Sequence, residues 1–150
     1  MKELKKDSIP SDFRLWYNEW VEKNAKGKVL DVGKSRFWDY GFDTIDTNEK
    51  LKPTYIQDIC ASTIASDSFD MVLCNGMYEC VEDPQKMVDE VMRLLRPKGM
   101  VIFGFVGKDY YPYKKGWNSY KKGDIKFNNI LEEKDFDNKY HFIICQLNSQ

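Results

Sequence analysis

Phe69-Asp70-Met71-Val72-Leu73-Cys74-Asn75-Gly76-Met77-Tyr78-Glu79-Cys80-Val81-Glu82-Asp83-Pro84 is the stretch on which the reading of this chain turns. After Asp70 it runs apolar to Cys74 with no polar alternation, which suits a parallel strand covered on both faces. Asp83-Pro84 then reads as a helix start, an acidic N-cap followed by proline at the first helical position. Met87, Val88, Val91, Met92, Leu94 and Leu95 recur at helical spacing and form the expected buried face. The helix is expected to stop before Pro97-Lys98-Gly99, and Met100 to Phe105 to return as another apolar strand. Strand, helix and strand in that order build a parallel pair with a right-handed crossover.

Toward the N-terminus, Pro10-Ser11 sets up an earlier helix with Ser11 as N-cap. Phe13, Trp16, Tyr17, Trp20 and Val21 give it one apolar face, a stripe that belongs against a core, and Gly27 ends it. Lys28 to Val32 closes on Gly33 as a first strand. Phe42 to Asp46 reads as a second, and Tyr55 to Asp58, introduced by Pro53, as a third. Toward the C-terminus, Lys108 to Lys126 is rich in lysine, tyrosine and glycine and loses periodicity. Tyr140 to Leu147 recovers a strand in which His141 reads as structural. The fold class is α/β, a doubly wound, mostly parallel sheet with flanking helices.

The bulk numbers exclude several function classes. A chain of 150 residues with net charge −1 and mixed signs lacks the basic excess that general nucleic-acid or membrane-surface binding needs. Cys60, Cys74, Cys80 and Cys145 have no paired zinc spacing, and with one histidine a Cys/His metal site is not expected. Cys74 and Cys145 lie in apolar runs, where a thiol behaves as a small hydrophobe. No long apolar stretch follows the N-terminus, so the expectation is a reduced, cytoplasmic protein without a membrane span.

In an open parallel sheet, ligands sit beyond the carboxyl ends of strands where strand order reverses. Three expected strand ends here carry residues that a nucleoside needs. Gly33 lets backbone approach a ligand closely. Asp46 is placed to accept from vicinal ribose hydroxyls, and Asp58 from an exocyclic amine on a purine. An aspartate after a strand commonly serves as a turn or cap. The functional weight therefore rests on their joint occurrence at successive strand ends.

These residues carry a resemblance. Val29-Leu30-Asp31-Val32-Gly33 resembles the first motif of class I S-adenosylmethionine-dependent methyltransferases. Phe69 to Pro84 is similar to their fourth strand and following turn, and Gln85 to Phe103, with Leu94-Leu95-Arg96-Pro97-Lys98-Gly99, resembles their next helix, turn and strand. The resemblance implies a Rossmann-like sheet, shortened in its C-terminal part, with S-adenosylmethionine as cofactor and methyl donor. It also implies that Asp31 and Gly33 line the methionine part, Asp46 the ribose, and Asp58 with Ile59 the adenine, with Asn75 and Gly76 beneath the sulfonium. Residues 1–150 then read as one methyltransferase-like domain: 1–27 the N-terminal helix, 28–105 the cofactor-binding core, 106–150 a substrate-side loop and final strand. The short spacing from Asp31 to Asp46 looks like a subgroup met among sugar and cell-surface methyltransferases.

The chain departs from the family pattern at three points. Glycines usual two and four places after Gly33 are replaced by Ser35, whose hydroxyl can donate to the cofactor carboxylate, and by Phe37. A histidine common after the fourth strand is replaced by Cys80. Methyl transfer to a hydroxyl needs a base, and Glu79 is the weak catalytic candidate. Trp38 is a candidate cofactor or substrate wall. Lys108 to Phe127 holds six lysines against Asp109 and Asp124, interleaved with aromatic residues, which suits a lid over an anionic glycan or nucleotide-linked acceptor. Two readings stay open: an enzyme that methylates a small-molecule or sugar-like acceptor, and a degenerate module that binds cofactor weakly or serves a protein partner. A nicotinamide-dependent dehydrogenase is disfavoured, because no G-x-G-x-x-G follows the first strand. Oligomeric state is left open.

Overall fold

The computed structural model describes residues 11–33, 37, 39–111 and 114–148. The elements run α1 (Asp12–Asn24), β1 (Val29–Val32), β2 (Asp43–Asp46), β3 (Tyr55–Ile56), β4 (Phe69–Asn75), α2 (Pro84–Leu94), β5 (Leu95–Val106), β6 (Ile130–Phe136) and β7 (Tyr140–Gln146). They form one sheet in the order β3-β2-β1-β4-β5-β7-β6. β1 to β5 pair in parallel, and β7 runs antiparallel to both β5 and β6. Strand order reverses between β1 and β4, which is the switch point where such sheets bind ligands. The fold is thus the expected Rossmann-like α/β sheet, with few helices.

β4 lies between β1 and β5, and Met71, Val72, Leu73 and Cys74 are wholly buried. Val72 and Cys74 join a cluster with Met87, Val88, Val91 and Leu94 of α2. Met71 and Leu73 join one with Tyr17 and Val21 of α1. The alternation of a strand therefore sends successive side chains to two helices on opposite faces. Each large aliphatic side chain so buried stabilises the fold by roughly 1.5–3 kcal/mol. The aromatic stripe of α1 faces the core as expected, with Trp16 packed 4.9 Å from Phe142 and Tyr17 stacked on the same ring at 5.5 Å. No helix among the described residues is long and apolar enough to cross a membrane.

Four sequence expectations need correction. Ser11 occupies the N-cap of α1 with extended backbone, but its side chain makes no capping bond. The cap of α2 is real, with the Asp83 carboxylate accepting from Lys86 N at 3.1 Å. Arg96 to Gly99 is not a turn before a strand but an irregularity inside β5. Leu95 pairs with Phe69 and Met100 with Met71, so four residues bulge out, helped by the left-handed φ of 65° at Lys98. β3 stops at Ile56, so Gln57 and Asp58 lie beyond it. β6 was not expected at all: it is a charged edge strand, which discourages pairing with other chains and shows no apolar alternation. Its turn into β7 has left-handed φ at Asp137 and Asn138, with Lys139 N donating to Phe136 O at 2.8 Å, as in a type I′ hairpin.

The amino edges of three strands are clipped by one side chain. Asp70 accepts from Lys28 N at 2.7 Å, just before β1, and from Arg96 of β5 at 3.1 Å. The Lys28 amide, then the Arg96 guanidinium, hold the Asp70 carboxyl below its usual range. Gly27 makes this contact possible: its φ is +69°, and an added Cβ would stand 2.3 Å from Asp70 Oδ2. Gly27→Ala is therefore expected to lower unfolding free energy by about 1–2 kcal/mol from the left-handed backbone alone, with further loss as Asp70 moves. In urea unfolding the midpoint should fall with the slope unchanged; an unaltered midpoint would contradict the clip.

Candidate functional site

Two recesses open at the carboxyl edge of the parallel strands. The first lies past β1, β2 and β3. Gly33 follows β1 with φ +72°, and its N–H donates to Ile45 O at 2.8 Å. Where a Cβ would stand, Met77 Sδ lies 3.5 Å away and Asp46 Oδ2 3.9 Å, so a side chain there would fill the cradle. Asp46 ends β2, and its Oδ1 accepts from Asn48 N at 2.8 Å. Asp58 caps a 3-10 turn (Ile59–Ala61), accepting from Cys60 N at 2.8 Å. Burial, then the Asp58 charge, pushes the Cys60 thiol up to about 11. Asp46, Asp58, Ile59 and Met77 share a shallow cleft of about 40 Å³ with Gln57. Asp31 is buried in β1. Ser35, Lys34 and Trp38 lie outside the described residues.

The second recess, of about 180 Å³, lies past β4 and under α1, lined by Asn75, Gly76, Glu79, Tyr140, Phe13 and Tyr110, with Arg14 beside them. Asn75 ends β4, and its Oδ1 accepts from the Tyr140 hydroxyl. That amide lies across β5 at Gly104, where a Cβ would stand 2.0 Å from Asn75 Oδ1, so only glycine fits. Gly76 has φ +81°, and Glu79 Oε1 and Tyr140 Oη lie each 3.9 Å from where its Cβ would be. Among the described residues Glu79 Oε2 is buried without a hydrogen-bond partner, and burial raises the carboxyl above its ordinary range. Burial, then the Glu79 charge, raises Tyr140 well above the usual phenol value and keeps it a neutral donor.

The turn between β4 and α2 separates the recesses, since Gly76 lines one and Met77 the other. Asn118 fixes it from outside: its N–H donates to Glu79 O at 3.0 Å, and its side-chain amide to Tyr78 O and Val81 O at 3.0 and 2.8 Å. Tyr78 packs 4.4 Å from Phe105, a structural role. The segment from Lys114 onward is therefore anchored to the site turn, in contrast to the expected free lid; Tyr113 lies outside the described residues. Phe37, where the family pattern has a glycine, is buried against Tyr17 at 6.0 Å and Tyr40 at 5.2 Å. Cys80 is exposed. His141 lies 3.3 Å from Asp135.

Sequence reasoning thus found Asp46, Asp58 and Ile59 in one recess and Asn75, Gly76 and Glu79 in the other. It did not place Met77, Tyr140, Gly104 or Phe13 at the site, while Tyr110 belongs to the aromatic residues of the expected substrate-side segment. Tyr140 reaches Asn75 because β7 inserts beside β5, and nothing in the local sequence of Tyr140 announces that strand order.

A methyltransferase-domain family model matches residues 30–103, about half of the chain and the span from β1 to β5. The match supports the resemblance to class I S-adenosylmethionine-dependent methyltransferases. A ubiquinone biosynthesis O-methyltransferase of Proteus mirabilis is 31% identical over 90 residues, 59% of this chain and 34% of that protein. The chain spans little more than a third of the length of the curated relatives it matches first. Among solved structures, the N-methyltransferase NodS of Bradyrhizobium japonicum bound to S-adenosylhomocysteine aligns with TM-score 0.65 at 13% identity, covering 89% of this chain and 86% of that one. The [4+2]-cyclase SpnF aligns with TM-score 0.69 at 10% identity, covering 91% and 81%. These two share the fold, and their different names show that the fold alone does not set the reaction. The carboxyl edge of this sheet fits S-adenosylmethionine. The Gly33 cradle admits close backbone approach, and the Asp46 Oδ2 atom faces that cradle.

Proposed function

We propose that this chain transfers a methyl group from S-adenosylmethionine to a hydroxyl of a small-molecule acceptor in the cytoplasm, with residues 1–150 working as one unit. The observation that carries the reading is the pairing of recesses on either side of Gly76-Met77 at the β1/β4 switch point. The O-methyltransferase names of the relatives support a hydroxyl acceptor, a class that includes sugars. When bound, S-adenosylmethionine supplies an electrophilic methyl carbon on a sulfonium sulfur. In this reading Asp46 accepts from the ribose hydroxyl pair, and Asp58 with Ile59 lines the adenine. Asp31, Gly33 and Ser35 serve the methionine part, and Asn75 with Gly76 lies beneath the sulfonium. Tyr140 holds the Asn75 amide in one orientation. Phe13 and Tyr110 wall the second recess and keep water from the acceptor, which then sits at near-attack distance.

Glu79 is the proposed base. A carboxylate raised by burial is a better proton acceptor near neutral pH than an exposed one, and its free oxygen gives the acceptor hydroxyl somewhere to donate. The alternative of a non-catalytic module is favoured by one observation, the buried Phe37 where the family pattern has a glycine.

Two variants separate the possibilities. Asp46→Ala is expected to weaken S-adenosylhomocysteine binding by about 1.5–3 kcal/mol, the scale of hydrogen bonds to a charged group, in a protein that still folds. Unchanged affinity in calorimetry would place the ribose elsewhere. Glu79→Gln should keep cofactor affinity and lose turnover by roughly 10²- to 10⁴-fold. Wild-type turnover should rise with pH as the Glu79 carboxyl loses its proton, above the ordinary glutamate range, and the variant should lose that limb. The stability sign runs with the raised value. The folded state holds the Glu79 proton more tightly than the unfolded chain, so its contribution is complete at acid pH and fades as pH rises through the folded value. Glu79→Gln should therefore be no less stable than wild type at neutral pH. A variant that binds cofactor and turns over at the wild-type rate would remove Glu79 from the chemistry.

A further inference from the structure

A recess of about 520 Å³ lies outside the site described above. It sits on β6 and β7 beside the anchored segment after β5. Side chains alternate along β7. Tyr140 and Phe142 face α1 and the Glu79 recess, whereas Ile143 packs with Tyr120 in the cluster on the opposite side. The groove thus opens on the other side of β7 from the second recess, and its volume is that of a small-molecule site.

Its lysines outnumber its carboxylates. Lys108 follows β5, and Lys121 and Lys122 follow Tyr120, so three ammonium groups arrive from two separate parts of the chain, while Lys134 of β6 pairs with Phe142 and turns to the α1 side. Against them stand two carboxylates, both engaged. Glu133 lies 3.9 Å from Lys122, and Asp135 takes His141 at 3.3 Å and Asn138 N at 3.1 Å. Lys134 rests over the Phe136 ring at 5.5 Å. Among the described residues the ammonium groups of Lys108 and Lys121 have no carboxylate within ion-pair distance.

The wall that carries these lysines is held in place. Tyr120 N donates to Val106 O at 2.8 Å, and its ring packs 5.1 Å from Phe105 and 5.2 Å from His141. Lys121 N is held by Asp124 at 2.9 Å, and Lys126 N by the Gln85 side chain at 2.8 Å. A backbone held in place and carrying unspent positive charge loses less order on binding an anion than a loop that must first be ordered. We infer that this groove binds a small phosphorylated ligand, its phosphates held by Lys108 and Lys121. The inference does not depend on the proposed methyl transfer.

The test is calorimetry of the whole chain with inorganic pyrophosphate at low salt. Lys108→Gln with Lys121→Gln should weaken pyrophosphate binding about tenfold or more, through loss of two charge-assisted hydrogen bonds, and leave S-adenosylhomocysteine binding as it was. Lys50→Gln with Lys52→Gln, at the opposite end of the sheet, should change pyrophosphate affinity by less than about twofold, the size expected of weak long-range screening. Pyrophosphate binding unaltered in the first variant, or equally lost in the second, would overturn the site. So would a single-stranded RNA that binds the same lysines more tightly than pyrophosphate does.

Discussion

Burial of β4 on both edges and both faces is the constraint from which the rest of the structure follows. β1 and β5 hydrogen-bond to it in parallel, α1 covers Met71 and Leu73, and α2 covers Val72 and Cys74. A parallel strand cannot be joined to its neighbour by a hairpin, so the chain must leave at the carboxyl edge, cross a face and return. The exits of β1, β2, β3 and β4 therefore share one edge of the sheet. Gly33, Asp46, Asp58 and Asn75 are gathered there by topology before any of them does chemistry.

The polar groups at that edge are already tied down. Asp46 holds Asn48 N, Asp58 holds Cys60 N, Tyr140 holds Asn75, and Asn118 holds the Gly76–Val81 turn by three bonds. Each carboxylate serves its own loop with one oxygen, which is the structural use an aspartate after a strand usually has, and the second oxygen of Asp46 faces the Gly33 cradle. A site whose side chains are fixed in advance spends less binding energy on ordering them. Glu79 stands apart. Its buried, unpartnered oxygen costs stability, and such a cost at a strand-exit turn is typical of a functional position.

What was legible in the sequence tracks how strongly burial forces a pattern. β4 is buried on both faces, reads as an unbroken apolar run, and matches residue for residue from Phe69 to Asn75. α2 has a four-residue apolar stripe and a working Asp83 cap, and was equally plain. β6 carries Glu132, Glu133, Lys134 and Asp135 on an exposed edge, so no apolar periodicity betrays it. The two-residue β3 ended early because Asp58 turned into a 3-10 turn instead of extending the strand. Tyr140 and Gly104 were invisible as site residues for another reason. Their meeting with Asn75 depends on β7 pairing antiparallel to β5, a long-range arrangement with no local signature.

The central claim is that the carboxyl edge on either side of the β1/β4 switch holds the adenosyl cofactor. Its most direct measurement is backbone amide chemical-shift mapping of the folded chain during titration with S-adenosylhomocysteine in the presence of a chelator. The account predicts a saturable response concentrated at Gly33, Asp46, Asp58, Ile59 and Gly76, with β6 unmoved. Saturable shifts confined to other parts of the sheet, or none at millimolar ligand, would contradict it.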